Sequence, residues 1–379
     1  MERMRMFDKE EVKELLSHRD DENLIISFYY PLEKGEPTEE GGIITLKNLI
    51  TEAQAARGEW TSFQAKSVSE DLTRIEQLVM EERVMGKGGL AVFACSATHL
   101  WKVFRLPDKV GPLLVVDHAT RMRPLIELMN RHKLYSTVLV GKGRARVFLL
   151  NPAKVEERSD IFGVVPGRHD QGGWAQARYQ RHHDDRVMRH LKDSADETFS
   201  LLQKEDFQRL FVAGTEELVS EFVEYLHPYL RDRLAGTFPM EMVASPKEVQ
   251  EQTLELASEL REIYDKDAIE KLRGEVHTGN LGAAGLEDTL QALQKGQVLM
   301  LLINDDFSAP GRSCTSCGSL CLIDPCPFCG AATEHLEDIV ENIVGQAFIQ
   351  NCEMRFIADA NKAALAELGN IGALLRFAG

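Results

Sequence analysis

Hydrophobic positions change their spacing several times along the chain, and each change predicts an element. Residues 24–30 are enriched in β-branched and aromatic side chains and read as a strand. Apolar positions recur at helical spacing over 46–56 and 69–82. Residues 90–95 and 101–106 then read as a strand pair, so the first region, 1–127, is expected to mix strands and helices. In the second region, 128–273, two apolar runs at 136–140 and 145–150 flank Gly141-Lys142-Gly143-Arg144 and predict a hairpin. A polar, glycine-containing segment follows, then a helix over 185–204 and a short buried strand at 209–212. Thr215 is expected to cap the next helix with its hydroxyl, with Glu216 and Glu217 at the positive end of the dipole. Residues 246–272 form another long amphipathic helix. The third region, 274–379, opens with a loop at 280–285 and a helix over 286–295 that stops at Gly296. A buried strand at 298–304, a helix, a strand near 353–357 and a final helical segment complete it. The fold class predicted is α/β, in three domains, each a mixed sheet with covering helices, the third interrupted by a cysteine-rich insertion. There is no internal repeat and no low-complexity tract.

Charge narrows the partners. The 379 residues carry a formal charge of −16. Like charge repels phosphate, which excludes a protein that coats nucleic acid over a wide surface. A local basic element that enters an RNA cavity stays compatible with that balance. The third region has thirteen acidic residues against five Lys or Arg and suits a protein partner better than nucleic acid. The first eight residues lack the apolar run of a signal peptide. Runs such as 298–303 are too short to span a bilayer. A cytoplasmic protein that binds no membrane is expected.

Five of the seven cysteines fall between Cys314 and Cys329, a clustering that points to metal in a reducing compartment. Cys314-Thr315-Ser316-Cys317-Gly318 and Cys326-Pro327-Phe328-Cys329-Gly330 are two CxxCG knuckles, with eight residues between their inner cysteines. Two residues between thiolates let both sulfurs face one cation at about 2.3 Å, and a glycine after the second cysteine permits the positive φ of a tight knuckle. Four thiolates leave no open position, so the expected zinc is structural. Packed reduced cysteines and an iron–sulfur cluster are the other readings of this pattern. Cys321 is a spare thiol, Cys95 and Cys352 fit core strands, and His335 is a substitute ligand that the complete four-cysteine set does not need.

The polar segment Gly167-Arg168-His169-Asp170-Gln171-Gly172-Gly173-Trp174 leads directly into a helix-like run carrying Arg178, Arg181, Arg186 and Arg189. A glycine tip backed by arginines suits contact with RNA phosphate, with Trp174 placed to stack on a base. The plainer alternative is a flexible turn, a Trp174 that folds back on its own domain and a solvated helix face. His182, His183, Asp184 and Asp185 read as a solvated cluster, because adjacent helical residues point in different directions.

Several stretches resemble the archaeo-eukaryotic class I release factor and Pelota superfamily, in its bacterial branch of Balon-like ribosome-binding factors. Leu46-Lys47-Asn48-Leu49-Ile50-Thr51-Glu52-Ala53 and residues 90–106 resemble the amino-terminal domain of those proteins. Residues 135–149, followed by Gly172-Gly173-Trp174-Ala175-Gln176-Ala177-Arg178-Tyr179-Gln180-Arg181, resemble the central domain. Residues 285–296 and 369–377 resemble the carboxy-terminal domain. The resemblance implies a central domain that reaches the peptidyl-transferase centre from the ribosomal A site. It also implies an amino-terminal domain at the decoding centre and a carboxy-terminal domain that meets a translational GTPase such as elongation factor Tu. Two departures matter. Release factors carry Gly-Gly-Gln at the tip, whereas the third position here is Trp174, which cannot donate and accept as an amide does. Gln176 lies two residues on, either in a shifted arrangement from Gly173 or as the first polar residue of the helix. No Asn-Ile-Lys-Ser motif occurs in the amino-terminal region, so stop-codon reading is not implied.

Three functions follow as expectations. The first is a ribosome-binding factor that occupies the A site of stalled or resting ribosomes, in hibernation or rescue, without hydrolysis. Arg168, Gly172, Gly173, Trp174, Arg178, Arg181 and Arg186 would meet rRNA. The second is a peptidyl-tRNA hydrolase with Gln176 positioning water. The third is a zinc-ribbon adaptor with no ribosomal role.

Overall fold

The computed structural model describes residues 8–32, 39–55, 60–83, 88–163, 174–205 and 207–377, with the backbone alone described at 39–43, 83 and 174–180. The chain divides into two compact units, one formed by residues 132–264 and the other by 7–131 together with 265–379. Among the described residues, no helix is long and apolar enough to cross a membrane.

Residues 8–131 begin with α1 (Lys9–Leu16), then β1 (Ile25–Leu32), α2 (Glu39–Ala55), α3 (Ser62–Arg83), β2 (Gly88–Cys95), β3 (Leu100–Leu106), β4 (Leu113–Asp117) and α4 (Arg123–Arg131). The strands form an antiparallel sheet in the order β3-β2-β1-β4. β1 is buried along nearly its whole length, which explains a continuous apolar run rather than a clean alternation. Phe28, Tyr30 and Leu32 pack on one face against Leu46 of α2 and Val68, Leu72, Ile75 and Val79 of α3, whose spacing of four, three and four residues makes one helical stripe. On the other face Tyr29 Oη donates to the Arg121 carbonyl at 2.7 Å, and Ser27 Oγ accepts from the Arg121 amide at 2.9 Å.

Residues 132–264 hold β5 (Tyr135–Val140), β6 (Arg144–Leu150), β7 (Val155–Phe162), α5 (Trp174–Glu205), β8 (Arg209–Gly214), α6 (Glu216–Tyr225), α7 (Pro228–Arg231), β9 (Leu234–Pro239) and the first part of α8 (Pro246–Thr278). The sheet runs β7-β6-β5-β8-β9 and is mixed, antiparallel from β7 to β5 and parallel from β5 to β9. Helices cover both faces. Val138, Val140, Val147, Leu149 and Val212 pack against Leu191 and Ala195 of α5 and Phe222 of α6. Leu139, Phe148 and Leu150 pack against Val249 and Leu254 of α8. Thr215 sits at the N-cap of α6 as expected, but its side chain makes no capping hydrogen bond, and Glu216 and Glu217 alone serve that helix end.

The remaining elements are β10 (Gly282–Ala284), α9 (Gly285–Gln294), β11 (Val298–Asn304), β12 (Gly311–Cys314), β13 (Leu320–Cys321), β14 (Thr333–Leu336), α10 (Ile339–Ile349), β15 (Glu353–Ile357), α11 (Lys362–Ala366) and β16 (Ile371–Leu375). The main sheet is β10-β16-β11-β15, mixed, with a separate ribbon β13-β12-β14. Ile269 and Leu272 of α8 share a core with Leu302, Ile357 and Leu374. The final segment, read as helical from the sequence, is instead the short α11 followed by β16, an inner strand of this sheet.

The divisions drawn at 127/128 and 273/274 fall inside α4 and α8. Residues 7–131 and 265–379 count as one unit for a physical reason: buried groups from both halves complete each other. Glu341 Oε1 accepts from the Met122 and Arg123 amides at 2.5 and 3.0 Å, occupying the amino end of α4. Arg123 donates to the Phe307 and Asp305 carbonyls at 2.7 and 2.8 Å and to Glu127 at 2.7 Å.

Candidate functional site

Two places carry chemistry: the cysteine ribbon and the amino-terminal part of α5 with the strands beneath it. In the ribbon, Cys314 ends β12 and is brought to the second knuckle by the pairing of β12 with β13 and β14. Each knuckle closes alike: the Gly318 amide donates to the Cys314 carbonyl at 3.0 Å, and the Gly330 amide to the Cys326 carbonyl at 2.9 Å. Both glycines adopt a positive φ, 70° and 74°, as the spacing predicts. The Ser316 and Cys317 amides both point at Cys314 Sγ, at 3.4 Å each.

The four sulfurs of Cys314, Cys317, Cys326 and Cys329 lie within 4.8 Å of one another. Three separations are 3.4 Å (Cys314–Cys329), 3.5 Å (Cys317–Cys329) and 3.8 Å (Cys317–Cys326). A disulfide needs about 2.05 Å. A tetrahedral thiolate site with metal–sulfur bonds of about 2.3 Å has edges of about 3.8 Å. The donor set and its dimensions therefore fit one soft metal ion. Hydrogen bonds from the Ser319 side chain and backbone hold the Cys317 thiol down at about 6. Cys329 is pushed up to about 12 even though the Ala331 backbone pulls it down, because it shares protons with Cys314 and Cys317. Thiols this close cannot all ionise without a cation among them. Cys321 stands outside the set, buried with its Sγ 3.4 Å from the Ile323 carbonyl. His335 on β14 is outside it too, and Cys95 and Cys352 are core residues.

At the second place, α5 begins at Trp174, eleven residues before the predicted start. Among its described side chains, the buried stripe begins at Val187 and continues through His190, Leu191, Ser194, Ala195, Thr198 and Leu202. Arg181, Arg186 and Arg189 are exposed, and so are Asp184 and Asp185. A spacing of four places Asp185 one turn from both Arg181 and Arg189, so this helix surface is of mixed sign rather than purely cationic. Arg168, Gly172 and Gly173 lie outside the described residues, as do the side chains of Trp174, Gln176 and Arg178. By its backbone Gln176 belongs to the first turn of α5.

The root of the glycine segment is well defined. Gly163 ends the described chain before it and donates to the Gly143 carbonyl at 2.9 Å. A Cβ at Gly163 would lie 2.7–2.9 Å from the His190 side chain, so His190 and the strand meet only because that residue is glycine. His190 is buried, its Nε2 meets no hydrogen-bond partner, and burial lowers its pKa against the pull of the Arg144 backbone and Asp193. One residue before Gly163, Phe162 pairs across the sheet with Arg144. Arg144 is held by both carboxylate oxygens of Asp160 at 2.8 Å each. Sequence reasoning missed His190, Gly163 and Phe162. The only signal was the hairpin glycines, which fix Arg144 but not what crosses to it.

Comparison with known proteins agrees with this layout. Residues 121–258 match the model of bacterial archaeo-eukaryotic release factor family 10. Peptide chain release factor subunit 1 of Thermococcus onnurineus is 24% identical over 407 aligned residues, covering 97% of both chains. The protein of the same name from Archaeoglobus fulgidus is 24% identical, covering 91% of this chain and 94% of its own. Among solved structures, Saccharomyces cerevisiae Dom34, a translation termination-like factor, is 9% identical with a TM-score of 0.44, covering 98% of this chain and 94% of its own. A central region matched by the family 10 model, within a chain that aligns nearly end to end with archaeal release factors, supports a place for this protein among the archaeo-eukaryotic release factors.

Proposed function

We propose that this chain is a ribosome-binding factor that occupies the A site of stalled or resting ribosomes without hydrolysing peptidyl-tRNA. The observation that carries this reading is a release-factor central domain whose glycine pair is followed by Trp174 instead of glutamine. An indole N–H donates but does not accept, so it cannot hold a water as the amide of release factors does. In this reading Gly172 and Gly173 bring backbone close to the peptidyl-transferase centre, Trp174 stacks on a base, and Arg168, Arg178, Arg181 and Arg186 contact rRNA phosphates. The amino-terminal domain faces the decoding centre. The acidic carboxy-terminal region meets a translational GTPase of the elongation factor Tu class. A zinc ion held by Cys314, Cys317, Cys326 and Cys329 closes the ribbon as a structural cross-link, in a cytoplasmic protein.

Pelleting through a sucrose cushion at moderate salt tests the reading. Co-sedimentation with purified ribosomes is expected, and its failure with ribosomes from both growing and starved cells rejects it. One observation keeps hydrolysis as a second reading: Gln176 sits in the first turn of α5, beside the glycine pair. Ribosomes loaded with peptidyl-tRNA separate the two readings. We expect no peptide release; release that Gln176→Ala abolishes would establish the hydrolase instead.

A further inference from the structure

Phe162 ends β7 with its side chain 70% exposed, more than any other aromatic residue among those described. Strand geometry explains how it comes to be there. Ile161 pairs with Ala145 and turns toward the α5 core, so the next residue points to the opposite face, where it lies across from Arg144. The Arg144 guanidinium carbon stands 5.2 Å from the Phe162 ring centroid. Asp160 grips it through Nε and Nη2 and fixes the fork in place. An open ring is thus backed by an oriented guanidinium.

Beside this pair, Arg146 is matched by Glu157. Lys142 is exposed at the hairpin tip. Asp160 is already neutralised by Arg144. A flat ring, a planar cation and an exposed lysine at the adjoining hairpin tip are three parts of a surface that stacks an unpaired base and holds its phosphate. The position adds to this, since the ring lies immediately before the segment that leads to the glycine pair.

We propose that Phe162 and Arg144 form a stacking platform for one unpaired base of ribosomal RNA, with Lys142 on the adjoining phosphate. This rests on the ribosome-binding reading and deepens it by naming the RNA contact made at the root of the glycine segment, outside the tip. Phe162 is exposed, so replacing it removes little buried volume, and a thermal melt checks that each variant is folded.

The experiment is a binding titration of the intact protein against purified ribosomes at several salt concentrations, with a photo-crosslinking residue placed at 162 in a parallel sample. Phe162→Ala is expected to weaken binding about tenfold with the salt slope unchanged, and Phe162→Trp to retain it. Lys142→Ala is expected to reduce the salt slope by about one. The crosslink is expected on rRNA. If the parent protein binds while Phe162→Ala binds equally well, or the crosslink reaches only ribosomal protein, the platform is wrong and the ribosome reading stands. If the parent protein does not bind ribosomes, the ribosome reading fails, and the platform with it.

Discussion

A buried histidine makes folding sensitive to pH, and His190 is such a group. Burial holds it below its ordinary value of about 6.5, outweighing the Arg144 backbone and Asp193, which both favour the charged ring. The unfolded chain takes up its proton near the ordinary value, and the folded chain does so only at lower pH. The stability linked to this group is therefore complete above about 6.5 and is lost as pH falls toward the folded value. Protonation would also place a charge against Gly163, where there is no room for a Cβ. The melting midpoint of the intact protein is expected to drop between pH 7 and pH 5, with a shallower drop in His190→Gln. An equally steep drop in the variant would assign the pH dependence to other groups.

At the scale of elements, the ribbon is too small to hold itself together. Its strands have four, two and four residues, and a sheet of that size has little apolar surface to bury. Binding free energy of a structural metal is then folding free energy. Cys326→Ser is expected to abolish bound zinc, measured by elemental analysis, and to open residues 311–336 to limited proteolysis. Cys321→Ser should leave both readouts unchanged, because that sulfur lies outside the cluster. Retention of stoichiometric zinc in Cys326→Ser would show that the four-sulfur assignment is wrong. Elements differ in how far they can be read from the sequence, for the same reason that the knuckles can: local chemistry is visible and distant packing is not. The knuckles depend on neighbours two or three residues away, and β1 and β2 declare themselves by apolar density. Residues 180–186 of α5 are polar throughout, and among the described side chains of the helix burial starts at Val187, so the sequence places its beginning near 185. β7 lies at a sheet edge, with Glu157, Asp160 and Phe162 exposed, and has no clean period. β16 is a five-residue strand containing Gly372, and only its place between β10 and β11 makes it a strand.

At the scale of the molecule, the two halves of the discontinuous unit share, among other contacts, a buried clasp that sequence inspection cannot find, since Glu341 is 218 residues from Arg123. Arg123 is a buried cation that satisfies three acceptors directly and stands 3.7 Å from Asp338. Truncating it would leave the Glu127 carboxylate and the Asp305 and Phe307 carbonyls without their donor in a dry site. Breaking one partner out of a buried pair costs about 3–5 kcal/mol, because the remaining charge stays buried and uncompensated. The central unit, 132–264, has its own core and does not contain this clasp. Two units with separate cores are expected to melt in separable steps. Arg123→Ala should lower the transition of the discontinuous unit, followed by calorimetry, while the transition of the central unit stays in place. Adding Glu127→Gln should recover part of the loss, since an amide is less costly than a charge to leave unpaired, and the shortfall from additivity measures the pair. A single transition that shifts as a whole would mean instead that the two units unfold together, with the clasp stabilising the entire chain.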